Sequence, residues 1–239
     1  MVPQSNGKMF LTEERGVTEY DSYRTYSTFN FGKFYNSSKP PFGALAVLNE
    51  DTIAPGKSMY MPVTVCADVI LIPAVGDIEY ADSLGNTSVV QVGQAQLFSV
   101  PAGASYTVTN PYSSALINFL QLWLIQPAPL CNGTPQLFAF DIEASPNCLL
   151  PVFHKIQHIN AQTSAQYVLS IGRFSGRSEA AYTMNNPGNG LFFFVIEGAF
   201  EIQNRLLHNG DGLALWGVEE AELEALSNNA VVVVLETPL

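Results

Sequence analysis

Histidines, cysteines and clustered acids are the side chains here best suited to chemistry. The three histidines, His154, His158 and His208, all lie in the second half of the chain. His154 and His158 are four apart, a metal-binding spacing on a helix. Pro151 closely precedes them, however, and residues 152–159 alternate as a strand does, which puts both imidazoles on one solvated face. His208, in Leu207-His208-Asn209-Gly210, sits in a hairpin-turn context and reads as a surface residue. The three cysteines, Cys66, Cys131 and Cys148, include no CxxC pair, so they form neither a metal knuckle nor a complete disulfide framework. A nucleophilic thiol needs an adjacent base, and Cys66 has only Asp68 nearby, whose charge would raise the thiol pKa; a buried, inert thiol is expected. Cys131 and Cys148 flank the stretch expected to link the two halves of the chain and could pair under oxidation. In the acidic run 219–226, period-two reading places Ala221, Leu223 and Ala225 on one face and Glu220, Glu222 and Glu224 on the other. That pattern is a strand with a solvated acidic face rather than a carboxylate site.

The chain that must position these groups has 239 residues, enough for one large core or two of ordinary size. Apolar residues are 47% and charged residues 13%, a balance that excludes disorder. No apolar run approaches the roughly 20 residues that cross a bilayer. The opening residues carry no apolar core of the secretory kind, and reduced thiols fit the same address, so a cytoplasmic location is expected. A net charge of −11 argues against nucleic acid and anionic membranes as partners.

Helical periodicity is scarce; a short helix near 161–166 is the one candidate. Short apolar or alternating runs bounded by Gly, Pro and Asn dominate instead: 42–48, 63–71, 89–92, 96–100, 105–109, 115–125, 167–171, 191–196, 212–215 and 230–235. Many short strands indicate an all-β sandwich or barrel. A weak repeat sharpens this. Gly76-Asp77-Ile78-Glu79-Tyr80 reads like Gly198-Ala199-Phe200-Glu201-Ile202, and Gly93 to Phe98 reads like Gly210 to Leu215. Duplicated domains follow, with Pro127 and Pro129 ending the first. The expected division is a first barrel over 1–126, a linker over 127–150 and a second barrel over 151–239.

Five blocks in the first half carry a family resemblance: Phe42-Gly43-Ala44-Leu45, Leu48-Asn49-Glu50-Asp51, Asp82-Ser83-Leu84-Gly85-Asn86, Asn110-Pro111 and Gln121-Leu122-Trp123. In this order and at these spacings, over residues 24–126, they resemble the pirin family, a bicupin branch of the cupin superfamily. The second half is similar only as a degenerate cupin, through Val195-Ile196-Glu197-Gly198 and Asn209-Gly210-Asp211-Gly212. The resemblance implies two consecutive cupin (jelly-roll) β-barrels. It also implies one iron-like metal in the first barrel, held by His-x-His on one strand and His-x-Glu on a later one. Several pirins oxidise quercetin with dioxygen, and others are metal-dependent regulators or binding proteins.

Cupin spacing from Gly56 puts the first ligand pair at Pro62 and Thr64, and gapless counting from Gly93 puts the second at Tyr106 and Val108. None is histidine or glutamate, and no histidine precedes His154. Proline has no donor, and hydroxyls replace imidazoles poorly. Counting back from Gly198 in the second barrel gives Asn185 and Pro187 as the corresponding pair. The expectation is therefore a lost metal site and no cofactor.

If the strand from Met61 stays regular, Thr64, Cys66 and Asp68 face the lost ligand positions, and Tyr106 and Val108 meet them across the barrel. Gln121 completes the candidate pocket, with Tyr106 as hydrogen-bond donor to Asp68; Trp123 reads as core. The cavity either binds a small molecule or is a filled core. The leading reading is a pirin-like bicupin without the family metal centre, binding a small molecule or a protein partner without catalysis. The rival is an enzyme, either a pirin-like oxygenase of the quercetinase type or a cofactor-free enzyme using Asp68, Cys66 or Tyr106. Cupins often dimerise through exposed strands, so the resemblance leaves a homodimer open.

Overall fold

The computed structural model describes residues 5–125, 134–158 and 164–239. Apolar and alternating runs become strands throughout. In chain order these are β1 (Gly7–Phe10), β2 (Gly16–Glu19), β3 (Tyr23–Ser27), β4 (Leu45–Ile53), β5 (Ser58–Pro62), β6 (Ala67–Val75), β7 (Ile78–Asp82), β8 (Thr87–Val90), β9 (Gln94–Val100), β10 (Ser105–Thr109), β11 (Ile117–Ile125) and β12 (Gln136–Ala139). There follow β13 (Leu150–His158), β14 (Ser164–Phe174), β15 (Glu179–Thr183), β16 (Asn189–Glu197), β17 (Ala199–Ile202), β18 (Arg205–His208), β19 (Gly212–Trp216), β20 (Glu220–Ala225) and β21 (Ala230–Pro238). Among the described residues the only helix is a 3-10 turn, Thr12–Glu14, and no helix is long and apolar enough to cross a membrane. The helix expected near 161–166 gives way to β14 from Ser164 onward; residues 161–163 lie outside the described residues.

Two compact units result, residues 15–140 and residues 1–14 with 141–239. The first pairs a seven-stranded sheet, β12-β9-β6-β11-β4-β3-β2, with a four-stranded one, β5-β10-β7-β8. Their inner faces share one core that includes Val47, Val69, Phe98, Phe119 and Trp123 from the larger sheet and Met59, Met61, Tyr80, Tyr106 and Val108 from the smaller. The second unit repeats the order: β1-β19-β16-β21-β14-β13 with β15-β20-β17-β18. Its core is filled by Phe174, Leu191, Phe193, Phe200, Leu213, Leu223 and Val232 among others. The repeated glycines occupy equivalent turns. Gly76 and Gly198 open β7 and β17 at φ 73° and 79°, and Gly93 and Gly210 precede β9 and β19 at φ 85° and 81°. Only glycine takes this left-handed backbone readily.

The division of the chain differs from the sequence expectation. β1 pairs antiparallel with β19, Gly7 opposite Leu215 and Phe10 opposite Gly212, so the first residues complete the second barrel. β12, inside the expected linker, pairs with β9 and completes the first. Both strands cover a sheet edge that would otherwise expose unpaired backbone. Such short strands, paired across long sequence separations, carry no local signal of their partner.

Candidate functional site

The phase of β5 decides what faces the first barrel's interior. Its burial alternates so that Met59 and Met61 point inward and Ser58, Tyr60 and Pro62 outward. Val63 is also buried inward, and Thr64 is exposed. Residues 63–66 are not strand, and β6 restarts the alternation with Ala67, Val69 and Leu71 inward. The inward residues are thus odd-numbered on both strands, opposite to the expected phase. Pro62 and Thr64 therefore lie outside the barrel. Asp68, although fully buried, faces away from its interior. Its carboxylate accepts the Ser99 hydroxyl at 2.5 Å, Ser99 being its cross-strand partner on β9. The expected Asp68–Tyr106 pair is not formed. Cys66 is buried but disulfide-bonded rather than a free thiol; Cys148 is free, so the partner of Cys66 lies outside the described residues, as does Cys131.

Tyr106, Val108 and Gln121 do face inward, as expected from their strands. Register sets Tyr106 opposite Met61 and Val108 opposite Met59. Of the expected ligand positions Pro62 and Thr64 are thus outside, and the inward side chains on these paired strands are two thioethers, a phenol and an isopropyl group. The phenol is already engaged: Tyr106 donates to Gln121 Oε1 and accepts Trp123 Nε1–H at 2.8 Å. Burial drives its pKa well above the ordinary phenol value, so it stays neutral. This set offers neither imidazole nor carboxylate and does not fit an iron-like ion.

The polar centre of the barrel is Asp51, a residue the sequence reading used only as part of the family resemblance. On β4 it shares the inward parity of Val47 and Ile53 and is fully buried. Thr25 donates to Oδ1 at 2.5 Å and Gln121 Nε2 to Oδ2 at 2.8 Å, so Gln121 links Asp51 to Tyr106 and Trp123. Arg15, whose charge also reaches Asp51, is ion-paired to Glu50 at 2.9 Å. Burial raises the Asp51 carboxyl, the two hydrogen bonds and Arg15 recover only part of that, and Glu50 adds to the rise; the result is a pKa of about 7.

Above Asp51 opens a cavity of about 270 Å³. Tyr20, Tyr23 and Phe31 give it aromatic walls, Met59 and Met61 a thioether wall, Thr25 and Asp51 a polar floor, and the exposed Lys33 a cationic edge. Phe31 meets Trp123 edge-on, with ring centroids 6.0 Å apart.

The second barrel treats its buried carboxylate differently. Glu236 accepts from the Tyr182 hydroxyl, the backbone N–H groups of Asn185 and Asn186, and the Asn185 and Asn189 amides, all at 2.8–3.0 Å. Burial pushes its pKa up, but these donors, Asn185 foremost, more than offset that and hold it below the ordinary value. Asn185 lies beyond β15 and ties the loop before β16 rather than facing the core; the inward residues of β15 and β20 are Ala180, Tyr182, Ala221, Leu223 and Ala225. His154 and His208 are exposed, and Glu220, Glu222 and Glu224 form the outer face of β20, Glu222 and Glu224 lining a shallow acidic groove. Two family blocks prove architectural. The Asp82 carboxylate accepts from Tyr80, Leu84 and Asn86, closing the hairpin. Asn110 bridges the backbone of Ile53, Ala115 and Tyr112.

Comparison with known proteins agrees with this architecture. The family model described as Pirin matches residues 11–124, and that described as Quercetinase C-terminal cupin domain matches residues 159–236. A quercetin 2,3-dioxygenase of Escherichia coli (strain K12) is 23% identical over 235 residues, covering 91% of this chain and 93% of that protein. The pirin-like protein YhaK of the same strain is 30% identical over 134 residues, covering 52% of this chain and 58% of its own. Among solved structures, YhhW from Escherichia coli superposes with a TM-score of 0.80 at 20% identity over 98% of both chains. The structure titled as the bacterial pirin YhhW in complex with nickel(II) superposes at 0.77 and 19% identity, over 98% of this chain and 100% of that one. With both of its barrels matched by family models, the chain belongs to the pirin family of bicupins.

Proposed function

We propose that the first barrel is a metal-free pocket that binds a small molecule without oxidising it. The observation that carries this reading is a cavity walled by Met59 and Met61 that ends on Asp51, in a barrel where Tyr106 and Val108 are the inward residues opposite those methionines. A buried polar group surrounded by apolar walls is the common design of small-molecule sites, where a few polar atoms fix the ligand's orientation. Dioxygenase chemistry of the kind named for the relatives needs donors that these four side chains do not supply. The rival enzyme reading loses two of its named groups as well, since Asp68 points away from the barrel interior and Cys66 is in a disulfide.

Two measurements on the intact chain test the proposal. After incubation with iron, manganese, nickel, copper and zinc, the dialysed protein should retain less than about a tenth of an equivalent of each, because the donor set is wrong for tight binding. With its five methionines carrying 13C-labelled methyl groups, uncharged ring fragments such as phenol and indole should move the Met59 and Met61 resonances and leave Met9 and Met184 in place. One tightly held metal, or methyl signals indifferent to neutral and cationic small molecules alike, would refute the reading.

A further inference from the structure

We infer that the first-barrel cavity takes a small organic cation, an ammonium or quaternary ammonium ion held between the aromatic rings and the Asp51 carboxylate. The inference rests on the metal-free binding reading above and narrows its ligand class. Asp51 is withdrawn from water, yet among the described residues it receives two neutral donors, Thr25 and Gln121. The cation whose field reaches it, Arg15, is committed to Glu50. A buried carboxylate with no counter-ion of its own is costly unless it is neutralised. An anionic ligand would add like charge in a poorly screened site, and a neutral ring would leave the deficit untouched. A cation would supply the missing charge.

The walls suit the same ligand. Tyr20 and Tyr23 have ring centroids 5.1 Å apart and tilted by 58°, and Phe31 lines the same cavity. Several ring faces around one volume are the arrangement that attracts organic ammonium ions through their quadrupoles. The net charge of −11 favours the approach of cations over anions. At about 270 Å³ the volume falls just below the roughly 300–1,000 Å³ of sites for drug-sized ligands, which suits a compact ion. Asn49, two residues before Asp51 on the same inward face, is buried, and neither its amide nor its carbonyl has a hydrogen-bond partner among the described residues. Buried polar groups normally find one, but Asn49 does not line the cavity and so adds nothing to its ligand set.

Choline and tetramethylammonium are suitable probes because their charge does not vary with pH. The titratable or charged groups around Asp51 are Glu50 on its own strand, Tyr23 on β3, Tyr106 on β10, Arg15 and Tyr20 from the β2 side, and Lys33 from the loop after β3. Burial raises the Asp51 carboxyl to about 7. Choline should therefore bind about tenfold more tightly at pH 8 than at pH 6, with proton release near pH 7. Asp51→Asn should remove the pH dependence and weaken binding by tenfold or more. If that variant misfolds, two exposed positions still decide. Tyr20→Ala should weaken choline roughly threefold through the lost ring face. Lys33→Ala should tighten choline slightly and weaken the zwitterion glycine betaine. Uncharged fragments that move the Met59 and Met61 methyl signals while choline does not would overturn the cation class and leave the pocket reading intact. Choline affinity indifferent to pH and to Tyr20→Ala would overturn it equally. Silence from every probe would refute both readings.

Discussion

Asp51 in the first barrel and Glu236 in the second are both buried carboxyls within reach of a buried tyrosine, and they behave in opposite ways. Glu236 is ringed by five donors that hold the loop before β16, and it stays ionised. Asp51 has two, and its affinity for a proton rises to near neutrality. The second barrel uses its carboxylate to fasten structure. The first leaves its own partly satisfied beneath a cavity. In a duplicated fold, then, the count of donors around a buried charge separates an anchor from a poised group better than burial does.

The largest expected effect comes from breaking the anchor. Glu236→Gln places an amide N–H₂ among donors and strands several of them, and should cost on the order of 3–5 kcal/mol in denaturant unfolding of the second barrel. The equivalent change in the first barrel should act through pH instead. The folded pKa of Asp51 exceeds its unfolded value of 3.8, so the native state holds an extra proton between about pH 4 and 7. Stability should fall as pH rises through that window, by up to roughly 4 kcal/mol at about 1.4 kcal/mol per unit. Subtracting the Asp51→Asn curve from the wild-type curve isolates this contribution. Glu236 has the opposite sign: its folded pKa is depressed, so its contribution is present above pH 4.5 and is lost as pH falls through the folded value. The smallest effects come from the two tyrosines. Tyr106→Phe removes the hydroxyl joining Gln121 to Trp123 and should cost about 1–2 kcal/mol, whereas Tyr182→Phe removes one donor of five and should cost about 0.5–1 kcal/mol. Equal costs in the two barrels would erase the contrast.

The strand content, the duplication and the inward positions of Tyr106, Val108 and Gln121 were legible in the sequence, because strand alternation and glycine-led turns are local signals. The first ligand pair was misplaced for a physical reason. In a strand a count that is out by one residue turns every side chain to the other face. The inward set on both strands is odd-numbered, Met59, Met61 and Val63 and then Ala67, Val69 and Leu71, so the count from Gly56 was out of step by one residue, leaving Pro62 and Thr64 outside and Asp68 toward Ser99. Asp51 was missed because Asn49-Glu50-Asp51 reads as a solvated polar run; only Val47 and Ile53, in step with it, mark its inward direction. The exchange of β1 into the second barrel is a long-range pairing that no local pattern encodes.

These two carboxyls hold their protons in opposite ways, and side-chain carboxyl NMR across pH 3 to 9 reads both in one sample. Asp51 should titrate near pH 7 while Glu236 remains ionised to below its ordinary value. An Asp51 signal that titrates near pH 4, in step with exposed carboxyls, would contradict the account.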